Sequence, residues 1–272
     1  MVSIDRRHLP IPEHPRQLFE GRVRYVPGLK AVYMINPKVA SSSVLASMWK
    51  TYDAMTGQTT FAGNPHILET SPFICPTYDH CGELAALPFF SIVRNPFARF
   101  VSAYIDKIVR RGDTAEWKAL CFSLGLSPDA SPCVSLFLER MLAGDPERLD
   151  WHFCPQHVNL LATVIPLDFT GHLEAMGEAE SFLAAHGIAL ESYLPHPTHA
   201  TNADQHVKEL IGVREADLIR RYYEVDFVLY GYSDDVSRID QVREGPGEEA
   251  AVDKLAMLVA LYTHDDSKKG TG

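Results

Sequence analysis

The chain has 272 residues, of which 46% are hydrophobic and 22% are charged, and its formal net charge is −10. This composition is ordinary for a soluble globular protein, and the length suffices for one full α/β domain with a large core. The acidic balance argues against nucleic acid as a partner, because nucleic-acid binding calls for basic surface.

No apolar stretch reaches the roughly 20 residues that a membrane span needs. The first eight residues contain no apolar signal core, so we expect a cytoplasmic protein without a membrane partner. The five cysteines form no C-x-x-C pair, which is typical of reduced thiols. Cys75, His80 and Cys81 lie close together, but they do not supply the four regularly spaced ligands of a zinc site.

The first predicted elements are an irregular proline-rich arm over residues 1–22 and a short strand pair over residues 23–35. The second strand, residues 31–35, is apolar, and it is followed by Asn-Pro-Lys-Val-Ala-Ser-Ser-Ser and an amphipathic helix over residues 43–55. Backbone N–H groups of such a turn and the positive end of the helix dipole form an anion site, to which Lys38 adds a point charge. The Walker A spacing is absent, and with it the hydroxyl that usually binds magnesium, so we predict a metal-free anion cradle.

A second apolar strand, residues 87–93, is followed directly by Arg94 and by a helix that Pro96 opens. The helix has apolar residues at i, i+3, i+4 and i+7, namely Phe97, Phe100, Val101, Tyr104, Ile105, Ile108 and Val109. Ser102 lies off this stripe. Because ligands bind beyond the carboxyl ends of strands in open α/β sheets, we expect Arg94 and Ser102 to bind one anion.

The later part of the chain contains further predicted elements. We expect helices over residues 134–142, 174–186, 214–223 and 250–262 and a third strand over residues 164–169. The rest of the region between residues 112 and 150 is predicted to be loops. Together the pattern predicts an α/β fold with a parallel central sheet and helices on both faces.

A charged, breaker-rich linker precedes the last predicted helix. We therefore expect one domain over residues 1–242, with its irregular N-terminal arm, and a linker plus C-terminal helix over residues 243–272. That helix is apolar on most sides, so it buries its surface on its own domain or on a partner. In the second case it would join the chains of a homo-oligomer.

Five segments resemble, in order, the motifs of the PAPS-dependent sulfotransferases, closest to the carbohydrate sulfotransferase branch (sulfotransferase family 2); PAPS is 3′-phosphoadenosine 5′-phosphosulfate. P-K-V-A-S-S-S looks like the 5′-phosphosulfate loop, and R-N-P-F-A-R-F-V-S-A-Y looks like the 3′-phosphate element. D-W-H-F-C-P-Q resembles the H-x-x-P-Q segment, L-D-F-T-G-H-L-E the Y-D-F-x-G-x-x-E segment, and Y-Y-E-V-D-F-V-L-Y-G-Y the closing Y-x-x-D-F-x-x-F-G-Y segment. These segments are residues 37–43, 94–104, 150–156, 167–174 and 222–232.

The resemblance implies a P-loop-like three-layer fold and a PAPS-dependent enzyme. It would transfer a sulfuryl group to a hydroxyl, on a sugar or a small metabolite, by in-line displacement, and release adenosine 3′,5′-bisphosphate. An amine acceptor, giving a sulfamate, is a close variant. Lys38 would act on the leaving group, and no metal is expected. The residues implied in nucleotide binding are Pro37, Lys38, Val39, Ala40, Ser41, Ser42, Ser43, Arg94 and Ser102.

In some members of the resembled family, a histidine between the first helix and the 3′-phosphate strand removes the acceptor proton. His66 and His80 lie in this region. We favour His66 because it precedes an apolar pair that could start a short strand at the cleft, whereas His80 lies at a predicted helix N-terminus. Imidazole suits a general base near neutral pH, and a carboxylate such as Glu69 is a further alternative.

His152 and Gln156 are the candidate substrate residues. They lie one turn apart if their segment is helical, so that both would face one pocket, and the resemblance implies a position on the acceptor side. Packing within a helix is the alternative role for both side chains. The resemblance also implies that the polar loop over residues 197–202 lies near the nucleotide. Arg99 would contact the phosphate or pair with an acidic neighbour.

Two other functions stay open at this point. A P-loop kinase would need the missing lysine–hydroxyl pair and an aspartate for magnesium. A non-catalytic nucleotide-binding module would keep Lys38 and Arg94 but would lack a working base.

Overall fold

The computed structural model describes residues 14–67, 69–110, 114–129, 132–146, 149–193, 203–242 and 254–264. These residues fall into two compact units, each of which is described by itself. The sheet unit contains the described residues up to 93 together with residues 159–193 and 254–264. The helical unit contains the described parts of residues 94–158 and residues 203–242.

The sheet has four strands in the order β1-β2-β3-β4, and all four belong to the sheet unit. They are β1 Val23–Arg24, β2 Val32–Met34, β3 Phe89–Val93 and β4 Phe169–His172. The short strand β1 is antiparallel to β2, while β2 with β3 and β3 with β4 are parallel. The predicted strand pair and the second apolar strand are therefore confirmed, and the sheet is mostly parallel.

The α-helices of the described residues complete the α/β architecture. In chain order they are α1 Pro15–Arg22, α2 Ser41–Thr56, α3 Cys81–Ala85, α4 Pro96–Tyr104, α5 Ala115–Leu124, α6 Val134–Ala143, α7 Gln156–Asn159, α8 Met176–Ala185, α9 Ala203–Leu210, α10 Val213–Tyr222, α11 Glu224–Leu229 and α12 Lys254–His264. Helices α1, α2, α3, α8 and α12 belong to the sheet unit, and the others belong to the helical unit except for Asn159, the last residue of α7, which falls in the sheet unit.

Aromatic stacking attaches α8 to one face of the sheet. The ring of Phe182 lies 4.3 Å from that of Phe169 at an angle of 6°, and 5.5 Å from that of Phe90. Gly171 of β4 permits this packing, because a Cβ there would lie 3.0 Å from Cβ of Ala179 and 3.0 Å from the Phe169 ring. The glycine of the D-F-x-G stretch therefore allows the close contact between strand and helix without displacing either neighbour.

The other face of the sheet carries α1 and α12. Phe89 points away from α8, because successive strand residues alternate between faces. Its ring centre lies 6.3 Å from that of Phe19 of α1 and 5.2 Å from Nζ of Lys254 of α12. Lys254 also donates to the carbonyl of Leu87 at 2.8 Å and pairs with Asp168 at 2.7 Å. The sheet is thus flanked by helices, as the α/β prediction requires.

In the helical unit, α4 is buried on all sides. Its aromatic residues join a cluster in which Phe97 lies 5.0 Å from Phe227, and Phe100 lies 6.2 Å from Phe153. The chain continues from α4 into a π-helix, Ile105–Val109. The wider turn of a π-helix rotates later residues off a 3.6-residue stripe. Val109 is accordingly 61% exposed, so its predicted inward position is wrong.

Two predicted boundaries differ from the structure. Residues 15–22 of the supposed irregular arm form α1, since Pro15 suits the first helical turn and Phe19 is fully buried. The third strand begins at Phe169 rather than at residue 164. The preceding residues form a turn around Leu161, whose φ is +50°, and Pro166 cannot donate to a strand ladder.

Helix α5 lies in a region that was predicted to be loops. The hydroxyl of Thr114 caps it by accepting from the backbone N–H of Trp117 at 3.2 Å. The predicted helices over residues 43–55, 134–142 and 214–223 are confirmed as α2, α6 and α10, with ends that differ by one or two residues.

A buried carboxylate shapes the loop that follows α2. Asp53 is 8% exposed, and it accepts from the backbone N–H groups of Thr60 and Phe61 at 2.8 and 2.9 Å. It also accepts from the hydroxyl of Thr60 at 2.6 Å, and that hydroxyl accepts from the indole of Trp49 at 2.7 Å. Burial alone would raise the pKa of Asp53, but the hydrogen bonds outweigh it and lower the pKa.

This network predicts a pH-dependent contribution to stability. Because the folded-state pKa of Asp53 is lowered, the contribution is present above the unfolded-state value of ~3.9 and is lost as the pH falls through the folded-state value. We expect Asp53→Asn to lower the free energy of unfolding at neutral pH by roughly 1–3 kcal/mol. The difference from wild type should shrink below a pH of about 4. Thermal unfolding of both proteins from neutral to acidic pH measures this difference in the free energy of unfolding. A difference that does not change with pH would contradict the expectation.

Candidate functional site

In the sheet unit, the loop between β2 and α2 has an unusual backbone. Lys38 has a φ of +70° and Ala40 has a φ of +62°, so both lie in the left-handed region although neither is glycine. Each such conformation costs of order 1–3 kcal/mol and tends to occur at functional sites. Turns of this kind direct successive N–H groups toward a common point, which favours an anion.

Ala40 is also the N-cap residue of α2, a helix of 16 residues, and it makes no side-chain cap. Alanine offers no oxygen to the N–H groups of the first helical turn, where the helix dipole is positive. Lys38 is half-buried within this turn, whereas its neighbours Pro37 and Val39 are buried. The loop therefore combines a cation with the N-terminus of a helix whose N-cap residue provides no side-chain hydrogen bond.

Buried hydrogen bonds join the entrance of this loop to the sheet. The amide of Asn36 donates to the carbonyl of Ile92 at 3.1 Å. In the neighbouring strand, the hydroxyl of Ser91 donates to the carbonyl of Met34 at 2.7 Å. Because both bonds connect β2 and β3 or their ends, the direction in which the chain leaves β2 is constrained before it reaches Lys38.

The serine run after Ala40 has mixed surroundings. Ser41 is buried and Ser42 is half-buried. The hydroxyl of Ser43 accepts from the N–H of Tyr193 at 3.0 Å and lies 3.3 Å from its carbonyl, so it is engaged with the backbone of that residue. The predicted loop over residues 197–202 begins shortly after Tyr193, but it lies outside the described residues.

The two candidate histidines have different partners. Nε2 of His66 lies 2.8 Å from Oγ of Ser42, and the ring is exposed. His66 lies in a turn, and its backbone N–H donates to Oδ1 of Asn64. The expected short strand at this position is therefore wrong. Nδ1 of His80 accepts from the N–H of Thr77 at 3.0 Å and lies 2.9 Å from its hydroxyl, which makes it part of a helix cap.

In the helical unit, Arg94 is the residue that directly follows β3. Its side chain is 10% exposed, and Nη2 lies 2.8 Å from Oδ1 of Asp204, a side chain that is 67% exposed. The backbone N–H and carbonyl of Arg94 both bond to the amide of Gln156, at 3.0 and 2.9 Å. Ser102 lies in the second turn of α4 and is 4% exposed.

The segment of His152 and Gln156 is not one helix. Gln156 begins α7 and is fully buried, while His152 lies in the preceding turn, so the one-turn spacing assumed for them is wrong. Nδ1 of His152 lies 2.6 Å from Oδ1 of Asp150. Burial would raise the pKa of Asp150, but the hydrogen bonds and charge of His152, with the charge of Lys107, outweigh it and lower the pKa.

The side chain of Arg99 is almost fully buried in the helical unit. It donates to the carbonyls of Cys154 and Trp151 at 2.9 and 3.3 Å. Neither partner is acidic, and both lie in the turn that carries His152. The described contacts of Arg99 therefore fix the shape of this turn.

Three important residues were not identified from the sequence. Asn36 anchors the start of the loop between β2 and α2, Asp204 pairs with Arg94, and Asp226 is a fully buried carboxylate in α11. Asp226 could have been found, because it is the aspartate of the closing motif segment. Asn36 had no signal beyond its position just before Lys38, and Asp204 had none beyond its position just after the predicted polar loop over residues 197–202.

The described residues contain no group of three or more His, Cys, Asp or Glu side chains that could hold a metal ion. Among the same residues, no helix combines the length and the apolarity needed to cross a bilayer. All five cysteines are free thiols, and Cys75 and Cys133 are exposed.

Comparison with curated proteins and with solved structures found no match. The sequence model of the sulfotransferase family, in contrast, matches residues 27–233. This span contains the left-handed loop with Lys38, the exposed His66, the buried Arg94 and the carboxylate of Asp226. Because the match extends over most of the chain and the motifs lie in the expected order, the protein belongs to the sulfotransferase family, in its family 2 branch, whose members transfer sulfuryl groups.

Proposed function

We propose that the protein transfers the sulfuryl group of PAPS to a hydroxyl of a sugar or a small metabolite by in-line displacement. The observation that carries this proposal is the 2.8 Å contact between Nε2 of His66 and Oγ of Ser42. It joins a solvent-accessible imidazole to the serine run of a loop that is suited to anions. A base beside an anion loop is the combination that sulfuryl transfer to a hydroxyl requires.

In the proposed reaction, the P-loop-like turn over residues 37–43 binds the 5′-phosphosulfate. Its N–H groups and the start of α2 bind the anion, and the ammonium of Lys38 stabilises the negative charge that develops on the leaving group. Lysine is suited to this role because it is a compact cation that needs no metal. The left-handed backbone at Lys38 and Ala40 supports the assignment, since strain of this kind is retained where a site uses it.

Arg94 and Ser102 are proposed to bind the 3′-phosphate of the same nucleotide. The guanidinium of Arg94 already contacts a carboxylate oxygen of Asp204 at 2.8 Å. A carboxylate and a phosphate offer the same kind of oxygen acceptor to a guanidinium, so the nucleotide would take over a contact that Asp204 makes in its absence. Because Asp204 is exposed, releasing it to water is inexpensive.

His66 is proposed as the general base. The acceptor hydroxyl loses its proton to the imidazole as its oxygen forms a bond to sulfur and the bond between sulfur and the bridging oxygen breaks. The electron pair of that bond leaves with adenosine 3′,5′-bisphosphate. The Ser42 hydroxyl shows that a hydroxyl fits within hydrogen-bond distance of Nε2, and His152 is proposed on the acceptor side.

Three further expectations belong to this proposal. The protein acts in the cytoplasm, residues 1–242 form the sulfotransferase domain, and α12 within residues 243–272 buries its apolar surface on its own domain, which we favour, or in a homo-oligomer. The packing of Leu258 and Leu261, which are 0% and 4% exposed, occupies part of the apolar surface of α12 already. Sedimentation of the full chain measures the oligomeric state.

The first prediction concerns the nucleotide. Adenosine 3′,5′-bisphosphate should bind without magnesium, and Arg94→Ala should weaken its binding by roughly 2–4 kcal/mol, because a charge-assisted bidentate contact is lost. Calorimetry measures both affinities. Arg238→Ala, which changes an arginine side chain that is 58% exposed in the same unit, is the control. Preference for a nucleotide without a 3′-phosphate, or hydrolysis of ATP that depends on magnesium, would argue against the assignment.

A second prediction separates catalysis from binding at Lys38. Lys38→Ala should reduce turnover far more than it weakens bisphosphate binding, because the ammonium stabilises charge that develops in the transition state. Alanine keeps the Cβ that strains the left-handed backbone, so the substitution removes little besides the charge. Lys118→Ala, at an exposed lysine of α5, is the control. Equal losses in turnover and in affinity would mean that Lys38 acts on the ground state alone.

A third prediction concerns the base. His66→Ala should reduce the rate by about 10²–10⁴ and leave nucleotide affinity nearly unchanged, because only proton removal is lost. The wild-type rate should rise with pH through the range in which imidazoles ordinarily lose their proton, near 6.5. His80→Ala, which removes a helix-capping histidine, should keep the rate. A fully active His66→Ala enzyme would exclude His66 as the base, and Glu69 would be the next residue to test.

A further inference from the structure

The amide of Gln156 makes a two-point bond to the backbone of Arg94. Its oxygen accepts from the N–H of Arg94 at 3.0 Å, and its nitrogen donates to the carbonyl of the same residue at 2.9 Å. The Gln156 side chain is 0% exposed. Because the amide is hydrogen-bonded to both backbone polar groups of Arg94, it fixes the backbone position from which the guanidinium extends.

Gln156 is itself held by a buried carboxylate. Oδ2 of Asp226 accepts from the backbone N–H of Gln156 at 2.7 Å, and Oδ1 accepts from that of His157 at 2.9 Å. Nδ1 of His157 lies 2.7 Å from the same Oδ1. Asp226 is 0% exposed, and a buried carboxylate is tolerated only where hydrogen bonds replace its water. Asp226 thus fixes the start of α7, from which the Gln156 side chain reaches Arg94.

The side chain of Arg94 has one constrained end and one exchangeable end. At the backbone end, both polar groups are bound to a fully buried amide. At the guanidinium end, one partner is Asp204, which is 67% exposed. A fork-shaped donor discriminates well between anions only if its position is set before the anion arrives. The buried amide provides this positioning, and the exposed carboxylate does not prevent exchange.

We infer that Gln156 is a positioning residue that fixes Arg94 for recognition of the nucleotide 3′-phosphate, and that Asp226 fixes Gln156 in turn. This inference rests on the proposed function, in which Arg94 binds that phosphate. It gives Gln156 a role on the nucleotide side, in place of the acceptor contact expected from the sequence. The positioning depends on the geometry of the amide, since both of its bonds to Arg94 are made to backbone atoms.

The test compares the affinities of adenosine 3′,5′-bisphosphate and adenosine 5′-monophosphate, measured by calorimetry on the full chain. The ratio of the two isolates the contribution of the 3′-phosphate. Gln156→Met keeps the length of the side chain but removes both hydrogen bonds to Arg94. We expect it to lower the ratio about tenfold or more, with the affinity for the monophosphate changed less than about twofold, because a loosened Arg94 affects one phosphate only.

Two further variants distinguish positioning from a loss of folding. Ser135→Ala removes a hydrogen bond to Glu215 elsewhere in the helical unit, and it should lower the melting temperature without changing the affinity ratio. Gln156→Glu is isosteric, and its protonated carboxyl group can donate to and accept from Arg94 as the amide does. The affinity ratio of Gln156→Glu should therefore equal that of wild type at acidic pH, where the carboxyl group is protonated. It should fall below that of wild type as the pH rises and the group ionises.

The outcomes separate the inference from the proposed function. A wild-type protein that does not prefer the bisphosphate would contradict the role of Arg94, and hence the proposed function itself. A wild-type preference that persists in folded Gln156→Met would overturn the inference alone. If Gln156→Met does not fold, Gln156→Glu decides, because a ratio equal to that of wild type on both sides of the titration of the introduced carboxyl group would also overturn it.

Discussion

The left-handed backbone of Lys38 and Ala40 is the constraint on which the sheet-unit part of the candidate site depends. Without glycine, two such residues in one turn are unfavourable, so the surrounding packing must hold them. The bonds of Asn36 to Ile92 and of Ser91 to Met34 provide that support from the buried ends of β2 and β3. The cation, the serine run and the start of α2 all follow from the direction that this turn gives the chain.

Several residues of the family motifs serve the scaffold rather than a ligand. Gly171 leaves room for α8 against β4, and Asp168 accepts from the N–H of Phe89 at 2.6 Å while it pairs with Lys254. Arg99 and Asp226 hold the turn and the short helix of the H-x-x-P-Q segment. The residues that make the chain recognisable as a family member therefore include residues that hold the scaffold in place.

Elements with strong local signals could be predicted from the sequence, while those set by distant contacts could not. Strand β3 and helix α2 have long apolar patterns, and both were identified correctly. Helix α5 was missed although Trp117, Leu120, Cys121 and Leu124 repeat at i, i+3, i+4 and i+7 and are buried, because short polar stretches surround it. The π-helix after α4 and the pairing of Gln156 with the backbone of Arg94 depend on tertiary packing, and no local pattern indicates them. The loop with Lys38 could be predicted because it directly follows a strand in the sequence. The contact of His66 with Ser42 could not be predicted, because it joins residues 24 positions apart.

Under the proposed function, the ion pair between Arg94 and Asp204 would keep a nearly buried cation available to the nucleotide. A guanidinium that is 10% exposed is costly to leave without an anion, so some oxygen must lie against it before a nucleotide arrives. A buried carboxylate would satisfy the charge but would be expensive to displace, as the fully enclosed Asp226 illustrates. Asp204, two-thirds exposed, gains water as it loses the guanidinium, so the exchange for a phosphate has a small net cost. If the proposed function holds, the affinity for the 3′-phosphate would include the difference between these two similar contacts, and the fixed backbone of Arg94 would favour the ligand whose oxygens match the position of the guanidinium.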